Sequence, residues 1–342
     1  MIAKETVSNG LENVTVAETN LSLVDGANGR LIINGTALED LSRLEFEDVY
    51  RNLLPQGAPL GPLRLNIYRK LKPVLSVLPN LEPMQALRLA LASLPDQTSE
   101  QELIAAFPVL LAACRNGAEL APPDPSLSVS QDLVRLFYQN TSEDRLSQAV
   151  NTYLVTVCEH GMNASTFACR VVASTGARPV SAALAGLSAL SGPLHGGAPG
   201  PVLDMLDELR DVSDKVGHLR TKLAKGERLM GFGHRVYRTR DPRAAVLKGA
   251  VSRMGTSSYL DHAEKVERAA LEALAVHKPD RSLQTNVEFY TSVLLQEIGF
   301  QREWFTPLFA TGRILGWMAH YREQRAGGRL IRPKATYVGP MP

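Results

Sequence analysis

A chain of 342 residues with 44% hydrophobic side chains allows one large domain or two modest ones and can bury a substantial core. Its formal net charge is only +2, which excludes the dense basic face of a nucleic-acid binder and confines any useful cations to local clusters suited to small anions. The three cysteines, Cys114, Cys158 and Cys169, form no C-x-x-C pair and read as free thiols of a reducing compartment.

The opening MIAKETVSNG has no apolar core of a signal peptide. Residues 18–36 read as a β hairpin, two short strand-like runs around Asp25-Gly26-Ala27-Asn28-Gly29. Beyond it the pattern is almost wholly helical. Thr98-x-x-Gln101 and Thr141-x-x-Asp144 look like capping boxes, and the second opens a helix with Leu146, Val150, Tyr153, Leu154 and Val157 at helical spacing. Breaks near Gly117–Pro125 and Ser191–Pro201 mark loops or boundaries. Residues 179–203 carry no Lys, Arg, Asp or Glu, but four prolines, several glycines and His195 argue against a membrane span. Pro201 opens a helix with Val202, Met205, Leu206 and Leu209 on one face. Asp241-Pro242 supplies an N-cap and a proline at the first helical position. Asn286 and Thr306-Pro307 are further starts, and Gly327-Gly328 ends the last long helix. The expectation is a mostly α protein with a small N-terminal β hairpin, soluble and cytoplasmic.

Four segments carry candidate chemistry: EHGMNAS (159–165), GPLHGGAP (192–199), GFGHRVYRTRDPR (231–243) and TNVEFY (285–290). In the second, Gly192-Pro193 breaks a helix and Gly196-Gly197 frees the backbone behind His195 for close approach of a substrate. The third places Arg235, Arg238, Arg240 and Arg243 within nine residues of one another, a cluster suited to phosphate or carboxylate. Arg243 falls in a helix first turn, where the helix N-terminus adds attraction for anions. Asn286 caps a helix and puts Glu288 in its first turn, where the helix N-terminus favours the ionised carboxylate. Taken singly, these segments read as readily as a Gly/Pro turn, a solvated basic loop, a surface first-turn acid and a boundary histidine. His218, His262, His277 and His320 lack metal-site spacing, so zinc or iron is not expected, and no G-x-S-x-G indicates a serine hydrolase.

Together and in this order the segments resemble the citrate synthase family, from AETNLSLVDGANGRL near the N-terminus to the IRPKATYVG tail. The pair GPLHGG and GFGHRVY…DPR is the most specific part of the likeness, and residues 75–125 are the least family-like. The resemblance implies a two-domain helical fold, residues 1–195 and 294–342 forming a large domain and 196–293 a small one. It implies condensation of acetyl-CoA with oxaloacetate, with acetyl-CoA as substrate and no cofactor or metal. It assigns His195 to the enol of the acyl-CoA, His234 to the oxaloacetate carbonyl oxygen and Glu288 to the base that removes the methyl proton. His160, Asn163, Arg243, Arg313 and Arg332 match oxaloacetate contacts, and Gly233 and Arg238 fall on the CoA side. It also implies a homodimer in which Arg332 serves the neighbouring site. Familiar members carry aspartate where this chain has Glu288. A 2-methylcitrate synthase using propionyl-CoA, or a silent member that binds CoA or a dicarboxylate, stays open at this level; one methyl group is worth only about 1–3 kcal/mol of discrimination in an apolar pocket.

Overall fold

A computed structural model describes residues 9–11, 14–140, 143–196, 199–255, 257–281 and 283–341. The expected hairpin is present. Strand β1 (Ser22–Asp25) pairs antiparallel with β2 (Arg30–Ile33), Leu23 opposite Ile32. The two-residue β3 (Thr36–Ala37) extends it to a three-stranded sheet, too short a strand for any alternation to reveal.

The remainder is helical. Helices α1 (Leu38–Leu41), α2 (Phe46–Leu53), α3 (Leu60–Leu71) and α4 (Pro83–Ala92) lead into the long α5 (Glu100–Asn116). Then come α6 (Val129–Tyr138), α7 (Asp144–Val157), α8 (Ala164–Ser174) and α9 (Pro179–Leu190). The next five are α10 (Pro199–Glu208), α11 (Lys215–Ala224), α12 (Pro242–Arg253), α13 (Ser258–His277) and α14 (Val287–Ile298). The last is α15 (Phe305–Gly327). No helix among the described residues is long and apolar enough to cross a membrane.

Caps explain several boundaries. Asp241 and Asn286 cap α12 and α14 as expected, each side chain accepting a backbone N–H of the first turn. The capping box of α5 lies one residue later than expected: Ser99 pairs with Glu102, while Thr98 Oγ1 donates to Pro95 O at 2.6 Å. Glutamate at the third helical position can reach back to the cap's backbone N–H, and this decides the register. Thr141 lies outside the described residues, and α7 is preceded by Glu143 without a side-chain cap bond. Helix α15 begins at Phe305, following a single 3-10 turn at Arg302–Trp304, so Pro307 sits inside its first turn.

Helix α15 organises the core. Its side chains are buried on nearly every face, from Phe305 through Met318, and α5, α7, α8 and α9 pack around it. Small residues make this closeness possible. A Cβ on Gly186 of α9 would meet the Trp317 ring at 2.9 Å. A Cβ on Gly316 would meet Cys158 O at 2.4 Å and Glu159 Oε2 at 2.3 Å. Gly316 N in turn donates to Cys158 O at 3.1 Å, so α15 is fastened to the chain just before His160. The hairpin makes a comparable contact elsewhere: Arg238 N donates to Gly26 O at 2.9 Å, and a Cβ on Gly26 would collide with Val236 O.

Gly316→Ala therefore forces backbone apart rather than a flexible side chain. It should cost about 1–3 kcal/mol of stability, read as a lower thermal midpoint, whereas Gly327→Ala, with open space around it, should leave the midpoint unchanged.

Candidate active site

Five short stretches from distant parts of the chain line one cavity of about 1340 Å³. His160 and Asn163 lie on the loop between α7 and α8, and His195 on the turn after α9. Gly233, His234, Arg238 and Arg243 come from the segment leading into α12, Glu288 from the first turn of α14, and Arg313 from the middle of α15. Nine of the ten residues singled out in the sequence thus face one cavity. Arg332 does not: it is exposed in the irregular tail after α15 and does not line it. Gly197 lies outside the described residues.

The loop bearing His160 is held by Glu159. Its Oε1 accepts Gly161 N at 2.6 Å, Ser22 Oγ at 2.8 Å and His320 Nε2 at 3.0 Å. Burial opposes the charge, but His320 and Arg313 beside it hold the Glu159 carboxyl below its usual range. Gly161 takes φ +60°, a turn glycine supplies without strain. Asn163 caps α8 by accepting Thr166 N, and its Nδ2 donates to Gly161 O at 3.1 Å.

The Gly231–His234 stretch is zipped to the start of α14. Gly233 N donates to Gln284 O at 2.7 Å, Asn286 N donates to Gly231 O at 2.9 Å, and Asn286 Nδ2 donates to Gly233 O at 2.8 Å. Gly231 and Gly233 both take positive φ, so the glycines around Phe232 shape the backbone that carries His234. Asp241 completes the assembly. Its carboxylate accepts Arg243 N, Nε and Nη2 at 3.1, 3.0 and 2.9 Å, and Val287 N at 3.0 Å. One acid therefore orients Arg243 and pins the helix that carries Glu288.

The three histidines have distinct hydrogen-bond settings. His234 Nδ1 accepts two backbone N–H groups, from Val236 at 3.0 Å and Tyr237 at 3.1 Å. Its proton consequently sits on Nε2, which stands 3.2 Å from Arg243 Nη2. Two donors side by side suit a carbonyl or carboxylate oxygen. His195 Nε2 lies 2.9 Å from Ser165 Oγ, which also contacts Asn163 Oδ1 at 2.8 Å and Trp317 Nε1 at 3.2 Å. Where Ser165 sends its one proton sets the His195 tautomer. His160 Nε2 lies 3.1 Å from the Tyr237 hydroxyl, and its ring meets that of His234 edge-on, centroids 5.5 Å apart.

Burial and the arginines keep all three rings neutral. Burial, then Arg313, brings His195 down to about 4; burial, then Arg243, does the same for His234. His160 is pushed well below the usual histidine value by burial and by Arg243 and Arg313. Arg313 is lowered to about 10 by burial and stays charged at neutral pH; its Nε donates to Val157 O at 2.7 Å, and its buried Nη2 has no protein partner among the described residues. The net result is a pair of fixed cations among neutral donors, an arrangement for a small dianion.

Glu288 departs from expectation. The cap Asn286 accepts its backbone N–H at 3.0 Å, as the sequence implies, yet its carboxyl rises to about 7 rather than staying low. Desolvation is the larger effect and exceeds the help from Arg243, with Asp241 adding repulsion. The helix N-terminus does not offset this. Ser165, Tyr237 and Asp241 complete the site without having been singled out for it. Asp241 is legible only as a cap, and Ser165 and Tyr237 carry no signal beyond lying inside the motifs. Among the described residues, no three His, Cys, Asp or Glu side chains come together as a metal site.

The model of the family described as "Citrate synthase, C-terminal domain" matches residues 10–334. A Mycobacterium tuberculosis protein provisionally named citrate synthase 2 is 39% identical, over 97% of this chain and 93% of its own. The citrate synthase of Haloferax volcanii is 34% identical over 96% and 95%. Among solved structures, citrate synthase from Thermotoga maritima superposes with a TM-score of 0.84 at 33% identity, covering 98% of this chain and 97% of that one. The ternary complex of carboxymethyl coenzyme A and oxaloacetate with citrate synthase from Thermoplasma acidophilum gives 0.86 at 28% identity, covering 99% and 97%. The chain belongs to the citrate synthase family of acyltransferases.

Proposed function

We propose that this cavity condenses acetyl-CoA with oxaloacetate and water to give citrate and CoA, with His195, His234 and Glu288 as the reacting groups. The observation that carries this reading is the convergence of a carboxyl near neutral pKa, two neutral imidazoles and two buried guanidiniums on one cavity. A thioester α-proton is weakly acidic, so its removal needs a positioned base and a donor for the enolate oxygen. A base poised near the working pH is the efficient choice.

In this mechanism Glu288 takes a methyl proton from acetyl-CoA while His195 donates an N–H to the thioester oxygen. The enol carbon bonds to the keto carbon of oxaloacetate, and His234 Nε2–H supplies the proton that the new alkoxide needs. The two backbone N–H groups on His234 Nδ1 stabilise charge on the ring as that proton leaves. Arg243 and Arg313 hold the carboxylates, with His160 and Asn163 beside them. Water then cleaves the citryl thioester, giving citrate and free CoA. Arg238, exposed and lining the same cavity as Gly233, supports a CoA phosphate contact.

The division into residues 1–195 with 294–342 and residues 196–293 fits this chemistry, because closing one part on the other excludes water from the thioester. A homodimer fits as well. Half-exposed Ala168, Val171, Leu184 and Ala185 lie on α8 and α9, and the exposed Arg332 has the reach of a tail to serve a neighbouring site. The relatives' name as citrate synthases favours acetyl-CoA over propionyl-CoA.

Four measurements test the proposal. Purified protein with oxaloacetate should release thiol from acetyl-CoA faster than from propionyl-CoA; release from neither overturns the reading. Glu288→Gln should lower turnover by about 10²–10⁴, the usual share of acid–base catalysis. The pH dependence has a defined sign. Glu288 binds its proton more tightly folded, at about 7, than at its ordinary 4.5, so it lends stability at low pH that is lost as pH rises through about 7. Glu288→Gln should accordingly gain thermal stability relative to the parent between about pH 5 and 8, and equal midpoints at both ends would exclude the raised pKa. Finally, mixing inactive Arg332 and His195 variants should restore activity through hybrid dimers; no recovery once subunit exchange is confirmed counts against a shared site.

A further inference from the structure

Tyr237 stands behind the cavity wall and does not line it, with 3% of its surface exposed. It nevertheless touches three groups that do. Its hydroxyl lies 3.1 Å from His160 Nε2, and its backbone N donates to His234 Nδ1 at 3.1 Å. Its ring centroid is 4.8 Å from that of His234 and 5.6 Å from that of His160, and the Arg243 guanidinium sits 5.8 Å from it.

The hydroxyl's proton decides what this contact does. A phenol has one proton to donate, and among the described residues His160 Nε2 is the one hydrogen-bond partner of this oxygen. Were Nε2 protonated, it would donate to the phenol oxygen and leave the phenol proton buried without an acceptor, a cost comparable to a lost hydrogen bond. Both groups are satisfied only when O–H donates to Nε2, which requires a neutral ring with its proton on Nδ1. Burial beside two arginines keeps the ring neutral.

We propose that Tyr237 is a positioning residue that donates its phenol proton to His160 Nε2 and fixes His160 as the Nδ1–H tautomer, the form in which that ring donates to oxaloacetate. The proposal rests on the oxaloacetate reading above for the identity of the ligand, but not for the tautomer. Through its backbone N–H on His234 Nδ1, the same residue sets the opposite tautomer there, with the proton on Nε2. One tyrosine thus specifies the proton positions of two neighbouring imidazoles.

The test uses the full-length protein labelled with ¹⁵N-histidine, in which long-range proton–nitrogen spectra report which nitrogen of each ring is protonated. His160→Gln assigns the resonance. Without substrate, the parent should show His160 as a single Nδ1–H species, and Tyr237→Phe, which keeps the ring and loses the hydroxyl, should show a mixture or the Nε2–H form. Calorimetry should find oxaloacetate binding about three- to tenfold weaker in the variant, the worth of one hydrogen bond, with KM for oxaloacetate raised by a larger factor than kcat falls. A change confined to packing would lower the thermal midpoint without altering the tautomer. The proposal is overturned if the parent's His160 carries its proton on Nε2, or if Tyr237→Phe keeps one Nδ1–H species. If the parent binds no oxaloacetate, the functional reading falls, while the tautomer comparison still decides the role of Tyr237.

Discussion

The Asp241 carboxylate accepts four hydrogen bonds, from Arg243 N, Nε and Nη2 and from Val287 N, and it does so almost fully buried. Two helices that would otherwise be related only through packing, α12 and α14, are joined at their N-termini by this one group. Its charge-assisted bonds fix the Arg243 guanidinium in a single orientation, with Nη2 left beside His234 Nε2. Its bond to Val287 N places Glu288 one residue further on. Losing the acid would leave a buried guanidinium unpaired, which is far costlier than the net worth of the pair.

Water exclusion then sets the protonation states. The same burial that drops three histidines well below neutrality lifts Glu288 to about 7. Both shifts favour the neutral form, and both suit the chemistry. A neutral imidazole keeps an N–H to donate to developing negative charge without carrying charge of its own, and a carboxyl near 7 is a stronger base than one near 4. The guanidiniums resist this because they hold protons far more tightly, so Arg313 stays cationic even when lowered to about 10. A site of fixed cations and neutral donors follows from desolvation acting on groups of different basicity.

Much of this was legible in the sequence, for identifiable reasons. Caps are local: Asp241-Pro242 and Asn286 declare their helices because the bond that makes them spans two or three residues. The glycine pairs around His234 were legible as backbone freedom. Competition between near-equal local signals was not, as when Ser99 with Glu102 displaced Thr98 with Gln101. The pKa of Glu288 was misread because a helix-terminus argument is local while desolvation depends on the whole fold. Ser165 and Tyr237 stayed silent since their function lies in partners 30 and 77 residues away.

Long-range ties of this kind also explain why the N-terminal sheet belongs to the site. Thr19 Oγ1 and Asn20 N donate to Glu323, Glu323 pairs with Arg170, and Arg170 reaches His320 Nδ1 at 2.9 Å. Arg170 can only donate, so His320 Nδ1 accepts and Nε2–H is given to Glu159, which also takes Ser22 Oγ from β1 and Gly161 N. The run alternates cations and carboxylates, with Glu323 and Glu159 accepting from both sides, and it ends on the loop that carries His160. A break at its buried end, between Arg170, His320 and Glu159, leaves a buried donor or acceptor unmatched, so the hairpin and α15 act as one support for that loop although Thr19 and Glu323 are 304 residues apart in sequence.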